Sequence, residues 1–479
     1  MEILSGQFAL FVGAVLAVYY ILSLRAQNVW LLLASYVFYV MLDWRFALVL
    51  LCVTTLSFWG AKWLNQSQKH RALFLWGGIG AALVLFAGYK SLDSSYVVPQ
   101  VERVLSGWIS PETIFRALIL PVGFSFYILQ VISYLVDVYQ KRLAPCQDFI
   151  DFALYLAYFP KLISGPIERA RAFLPILQRQ RTVTNETLAR ALTLLLTGLV
   201  RKIVLADVLF SLLPKDFFGN GDLSLGVRWA GLLTYAFYLY NDFAAYTSLV
   251  RGVSLLFGIE LSNNFQQPYF ARGFSDFWNR WHISLSNWLR DYIFFPLSRA
   301  LLRANKGKQN WLTVALPPLV TMVVSGLWHG FYPAMVLWGG LHGIYQAGER
   351  VLQLRWPRLR PQDQPGWLRV ISALLTFLLV VLAWVPFGSL ALRDTLVFWK
   401  GLFVSGATSV DFNFAAMGVT ILLSVGLDGL LEYGQGEPIF LRWRTAAQSA
   451  MIVLAVLLII FVRFWNAAPA VAVFVYQGF

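Results

Sequence analysis

Two histidines stand where a titratable ring needs a reason. His329 closes the apolar run "VVSGLWHGFY" (323–332), and the whole stretch from Gln309 to Gly348 contains no Asp, Glu, Lys or Arg. His282 lies upstream in "FSDFWNRWHISLSNWLRDY" (274–292). Ionisable side chains inside a membrane are costly and face a cavity, a partner or a substrate path. Desolvation disfavours the imidazolium, so a buried His329 is expected to be neutral at pH 7, and a neutral imidazole is suited to accept a proton from a hydroxyl. Three roles fit the residues alone: a turn or packing position before Gly330 and Pro333, catalysis or transport, and metal binding. The metal reading is disfavoured because His342, the other histidine of the stretch, is thirteen residues away with Pro333 between, so no single helical face presents both.

The elements that would hold these rings are membrane helices. The 479 residues are 58% hydrophobic and 13% charged, against about 45–50% and about 25% in soluble domains. The expected fold is an all-α polytopic membrane protein with about ten to thirteen transmembrane or part-spanning helices. The clearest runs are 8–24, 72–88, 118–136, 312–328, 370–387 and 448–462. Interrupted ones lie near 29–41, 46–60, 150–164, 187–212, 229–257, 333–348 and 413–431. Residues 1–479 read as one membrane domain. The start carries Glu2 and no basic residue before its apolar core, so 8–24 is expected as a retained first span.

Basic residues account for a net charge of +14, and they flank apolar spans without forming a separate domain, which argues against nucleic acid. Arg25, then Lys62, Lys69 and Arg71, then Lys141 and Arg142 fall in alternate loops, so the positive-inside rule sets the N-terminus outside the cytoplasm. Arg299, Arg303, Lys306 and Lys308 form a run without an acid that suits lipid headgroups or the phosphates of a donor such as coenzyme A. The two cysteines make no disulfide or metal pattern.

Residues 273–298 are expected as an interfacial amphipathic helix. At about 100° per residue, Phe274, Phe277, Trp278, Trp281, Leu285, Trp288, Leu289 and Tyr292 gather on one side. Asp276, Asn279, Arg280, Asn287, Arg290 and Asp291 gather on the other, and His282 sits on the border. Asp276 is four residues from both Arg272 and Arg280, so surface pairs worth a few tenths of a kcal/mol are expected. Asn279, Arg280, Trp328 and Asp291 are candidate donor contacts or supports for the histidines. Ser-Gly-Pro at 164–166 is expected to break a span.

Together these motifs resemble the membrane-bound O-acyltransferases, and most of all the bacterial branch that includes alginate O-acetyltransferase and the D-alanyl transferase of teichoic acids. The likeness is carried by "FSDFWNRWHISLSNWLRDY" and "SGLWHG" (325–330). It extends through "NVWLLLASYVFYVMLDWRFAL", "LPVGFSFYILQVISYLVDVY", "FPKLISGPIERA", "NNFQQPY" and the terminal "FVYQGF". The resemblance implies that His329 is the catalytic histidine and His282 the second functional one. It also implies a ring of spans around a funnel that narrows to a tunnel at His329, with donor and acceptor approaching from opposite sides. "YNDFAAYTSLVRG" (240–252) is similar to the acetyltransferases' Tyr-x-Asp-Phe-Ser-Gly-Tyr-Ser-Asp and keeps Tyr240, Asp242, Phe243 and Tyr246, which makes Asp242 and Tyr246 candidate substrate contacts. Ala244, Ala245, Thr247 and Ser248 depart from it, and "FFPLSRALLRANKGKQN" lacks the usual stretch rich in glycine and asparagine.

The expected activity is transfer of an acyl group, acetyl first and D-alanyl as the alternative, to a hydroxyl for an extracytoplasmic polysaccharide. The donor is an acyl thioester such as acetyl-coenzyme A or an acyl-carrier protein, with no permanently bound cofactor and no metal. An extracytoplasmic transferase is a further expected partner, and the location is the bacterial inner membrane. A different class, a proton-coupled transporter of a lipid-linked sugar or anion, would be expected to show inverted repeats, and none is visible.

Overall fold

The computed structural model describes residues 3–67, 69–93, 121–360, 364–404, 406, 410–433 and 445–465. The terminal "FVYQGF" lies outside these. The described residues form helices and no strand beyond an isolated bridge between Phe265 and Trp281. In hydrocarbon every backbone N–H and C=O must be paired within its own segment, which apolar runs achieve as helices. Among the described residues five helices are long and apolar enough to cross a bilayer: Trp44–Gln66, Arg71–Ser91, Trp311–His329, Gly366–Ser389 and Phe414–Leu431. Gly6–Tyr19, Phe124–Tyr139 and Met451–Arg463 are shorter apolar helices. The first run, expected over 8–24, stops at Tyr19, and a new helix begins at Leu24.

The described residues divide into two compact units. The first comprises the chain up to Leu195 with Thr247–Ser262. Its buried polar groups are cross-linked: Asn28 Nδ2 donates to Asp151 Oδ1 at 2.9 Å and to the Leu177 carbonyl at 3.0 Å. Lys161 Nζ donates to Gln130 Oε1 at 2.6 Å, and the Ser262 amide donates to Glu168 at 2.6 Å. The break expected at Ser-Gly-Pro is present. The short helix Phe159–Leu162 ends there, and a Cβ on Gly165 would meet the Lys161 Cβ at 2.7 Å.

The second unit comprises Leu196–Tyr246 and the described residues from Asn263 onward. A π-helical segment, Val200–Ala206, presents Arg201 and Lys202 inward, both buried. Arg201 pairs with Asp428, which also accepts from Tyr240 Oη at 2.9 Å. Lys202 Nζ lies 2.8 Å from Asp242 and 2.9 Å from Asp207. Buried charges of this kind are tolerated only when paired, because the desolvation cost of a lone one is several kcal/mol.

The helices Trp311–His329 and Pro333–Arg355 form the tightest pair in this unit. A Cβ on Gly326 would run into the Met335 carbonyl oxygen, one on Gly339 into the Met322 carbonyl oxygen, and one on Gly343 would lie 2.8 Å from the Leu319 Cα. Backbone therefore touches backbone, an approach that only glycine permits. The sharp reversal between the helices uses Gly330 as the C-cap of the first and Pro333 at the first turn of the second, where its missing N–H costs nothing. His329 is thus the last residue of its helix.

The stretch 273–298, expected as one interfacial helix, is instead interrupted. Helix Phe274–Arg280 stops, Trp281 is extended, His282 is left-handed at φ 43°, and a second helix runs Ile283–Leu289 before a π-helical turn, Arg290–Phe294, and helix Phe295–Ala304. The reason is Asn264. Its carbonyl accepts from the Ile283 amide at 3.0 Å, and its side-chain oxygen accepts from the Ser284 amide at 3.1 Å. Those amides would otherwise bond back into the preceding turn. The aromatic side also differs from the expectation of a lipid-facing surface: Phe277, Trp278, Trp281 and Trp288 are buried in protein.

Two variants test this packing. Gly339→Val forces side-chain atoms against fixed backbone and should cost about 1–3 kcal/mol or more. Gly340→Ala, at a position with nothing within 4 Å, should cost little. Thermal unfolding in detergent should separate the two. Lys202→Met leaves Asp242 buried beside one positive charge fewer and should destabilise by about 3–5 kcal/mol. Adding Asp242→Leu should recover part of that loss in the same assay.

Candidate active site

His329 and His282 come together around one indole. His329 is 4% exposed and His282 1%. The Trp328 ring centroid lies 4.8 Å from that of His329 and 6.1 Å from that of His282, edge-on to both. Phe243 closes the other side of His282 at 4.9 Å. Trp338 and Phe387 stand edge-on to His329, each at 5.2 Å, and Trp384 stacks on Trp338 at 6.1 Å. The catalytic candidates therefore sit in an aromatic enclosure, well inside the protein.

Burial and the helix end set the electrostatics of the two rings. Burial pushes the His282 imidazole down to about 3, so it is neutral at pH 7 and has one nitrogen to donate and one to accept. His329 ends its helix, where the last carbonyls carry partial negative charge. A cation formed there is stabilised by about 0.3–1 kcal/mol. A neutral imidazole that can accept a proton, then hold the resulting charge, is what removal of a hydroxyl proton requires.

The other candidates divide. Trp328 is central. Asn279 is exposed, accepts from Arg290 Nη1 at 3.4 Å, and lines a small cavity with Arg290, Gln346 and Arg350. Trp278 walls that cavity and packs on Trp338 at 5.9 Å, so the cavity is two rings away from His329. Arg280 is engaged with Asp276 at 2.9 Å and with the Gln266 carbonyl at 3.3 Å, the surface pairing its spacing implied. Arg272 reaches Asp276 only through its backbone amide, at 3.0 Å. Asp291 is half-buried in the π-helical turn. Asp242 is fully buried and held by Lys202, and Tyr246 is buried one turn further along helix Leu225–Leu256.

Several site residues escape a reading of the chain. Trp384 and Phe387 look like ordinary members of an apolar span, and nothing local marks them. His342 and Trp338 were more accessible to inference: they are four apart, on one helical face, with ring centroids 5.1 Å apart. His342 is fully buried, its ring 5.1 Å from Trp278, and neither of its nitrogens has a hydrogen-bond partner among the described residues. Among the described residues no three His, Cys, Asp or Glu side chains gather as a metal site would require.

Comparison with known proteins places this geometry. The family model described as MBOAT, membrane-bound O-acyltransferase family, matches residues 142–385, a range that holds both histidines and Trp328. The chain is 33% identical over 404 residues to a protein named probable alginate O-acetylase from Pseudomonas aeruginosa, covering 83% of this chain and 74% of the relative. It is 30% identical over 425 residues to a peptidoglycan O-acetyltransferase of Helicobacter pylori, covering 80% and 76%. A teichoic acid D-alanyltransferase of Streptococcus thermophilus is 30% identical over 260 residues, covering 50% of this chain and 61% of that one. The family model's match and the shared length of these relatives agree: this chain belongs to the membrane-bound O-acyltransferase family and is a multi-pass membrane O-acyltransferase.

Proposed function

We propose that the protein moves an acetyl group from a cytoplasmic thioester to a hydroxyl of an extracytoplasmic polysaccharide, directly or through a partner transferase, in the bacterial inner membrane. The observation that carries this reading is the pair of buried imidazoles flanking Trp328. Acetyl is favoured over D-alanyl because the relatives named for O-acetylation align over more of the chain, 83% and 80% against 50%. Sidedness follows from charge. Arg299, Arg303, Lys306 and Lys308 precede the first helix of the hairpin, and Arg355, Arg358 and Arg360 lie at the end of the second, whereas the His329 turn has no charged residue. The positive-inside rule puts the basic end in the cytoplasm.

In the reaction the acceptor hydroxyl oxygen attacks the thioester carbonyl carbon while His329 takes its proton. The tetrahedral intermediate collapses, the C–S bond breaks, and the thiol leaves with a proton returned by the imidazolium. His282, neutral and fixed between Phe243 and Trp328, orients a substrate by hydrogen bonding. The aromatic enclosure keeps water from the thioester, which would otherwise be hydrolysed.

Deleting the gene should remove the ester-linked acyl group from the cell-surface polymer, read by mass analysis after mild alkaline release. The wild-type gene should restore it. His329→Ala should transfer about a hundred- to ten-thousand-fold more slowly while folding normally. Near-wild-type transfer by His329→Ala would rule out its role as general base. Because His282 is held neutral, the unfolded chain binds a proton that the folded site refuses between about pH 6.5 and pH 3. Stability should therefore fall as pH is lowered from 7 to 5, and His282→Gln should flatten that slope in thermal melts.

A further inference from the structure

A groove of about 520 Å³ lies between the π-helical segment Val200–Ala206, helix Phe414–Tyr433 and helix Thr445–Trp465. None of the residues that enclose the two histidines lines it. Its walls are aliphatic, with the Thr197 hydroxyl as the one polar side-chain group of the lining. No aromatic or charged side chain faces it, in a chain that is 16% aromatic. Val200, Val204 and Leu205 contribute one wall, while their neighbours Arg201 and Lys202 are buried in ion pairs with Asp428 and Asp242. A Cβ on Gly426 would meet nothing within 4 Å, so the opening reaches the backbone there.

Position and shape say what fills it. Phe414–Leu431 is long and apolar enough to cross a bilayer, and Met451–Arg463 is a shorter apolar helix. The rims, Leu422, Leu423, Leu430, Ile452 and Leu454, are exposed, so the groove is continuous with the surface these helices turn to the hydrocarbon. At about 1.5 Å per residue, Leu422 to Leu430 covers about 12 Å. One leaflet offers about 15 Å, half of the hydrocarbon core. A partner's transmembrane helix would need small residues that let two backbones approach and polar groups that bond across. The groove offers Gly426 and Ala455 among bulky side chains, and a single hydroxyl. A flexible hydrocarbon chain needs neither.

We infer that this groove binds one acyl chain of a membrane lipid. Lipid tails are as apolar as leucine, so burial alone does not favour the groove over the surrounding bilayer. Contact does: a chain seated there touches aliphatic side chains of three elements, and dispersion contacts that are small singly add up. The seated chain also braces the π-helical segment from outside. Lys202 of that segment holds Asp242, which precedes Phe243, the ring packed on His282.

The test is photolabelling of the purified full chain in phosphatidylcholine nanodiscs that contain a phosphatidylcholine with a diazirine at the middle of one acyl chain. Labelled residues are located by mass spectrometry. The reference is Val84, 73% exposed on the apolar helix Arg71–Ser91 and outside the groove. Leu427 and Met451 should be labelled on the order of tenfold more than Val84, the ratio that about 1.4 kcal/mol of extra contact gives. Gly426→Leu and, from the facing helix, Ala455→Leu should each bring Leu427 and Met451 down to the level of Val84. Unchanged labelling of Val84 shows that each variant remains folded in the bilayer. The readout needs no acyl transfer and stands apart from the reading above. Groove labelling no higher than Val84, or groove labelling that both variants leave intact, would overturn the inference. So would weak groove labelling together with cross-linking of Leu427→Cys to a second copy, which would make the occupant another protomer.

Discussion

Two hydrogen bonds, from the amides of Ile283 and Ser284 to Asn264, decide where His282 sits. They replace bonds that a continuous helix would make to its own preceding turn, and they let His282 adopt a left-handed backbone. For a residue with a Cβ that conformation costs about 1–2 kcal/mol. The compensation is positional. The interruption lets the helices before and after it follow separate courses and places the imidazole between Phe243 and Trp328. Strain of this sort clusters at functional sites, and here it coincides with the second candidate histidine.

His329 depends on a different constraint, the backbone contact of its hairpin. Glycines at 326, 339 and 343 bring the two helices close enough for Trp338, on the second, to pack against His329, at the end of the first. Buried ion pairs steady the surrounding frame: Lys202 holds Asp242 one residue before Phe243, and Arg201 holds Asp428 beside Tyr240. These pairs are weak evidence for stability in themselves, since desolvation offsets most of their attraction. They do fix which way each helix faces. The aromatic shell then encloses the two buried imidazoles.

The helical, membrane-spanning class was plain in the chain, because apolar runs of span length have few other ways to satisfy their backbones. The two histidines were legible for the same reason: a ring among some forty uncharged residues, and another among tryptophans, stand out against their surroundings. The break at Trp281 was not legible. A helical wheel assumes that the helix continues, and the group that interrupts it comes from Asn264, outside the stretch being drawn. Asp242 illustrates the same limit. Its motif suggested a substrate contact, while its partner Lys202 lies forty residues away and only the fold brings them together. Trp384 and Phe387 carry no local mark, since an aromatic residue facing a histidine and one facing lipid look alike in sequence.

The central claim is that His282 and His329 act as one unit about Trp328. A double-mutant cycle on acyl transfer measures this most directly, with His282→Ala, His329→Ala and the pair compared in proteoliposomes at equal protein. Residues that act as a unit are strongly non-additive, so the double variant should be little slower than the slower single variant. If the two rate losses instead multiply, the histidines serve independent steps and the shared site is wrong.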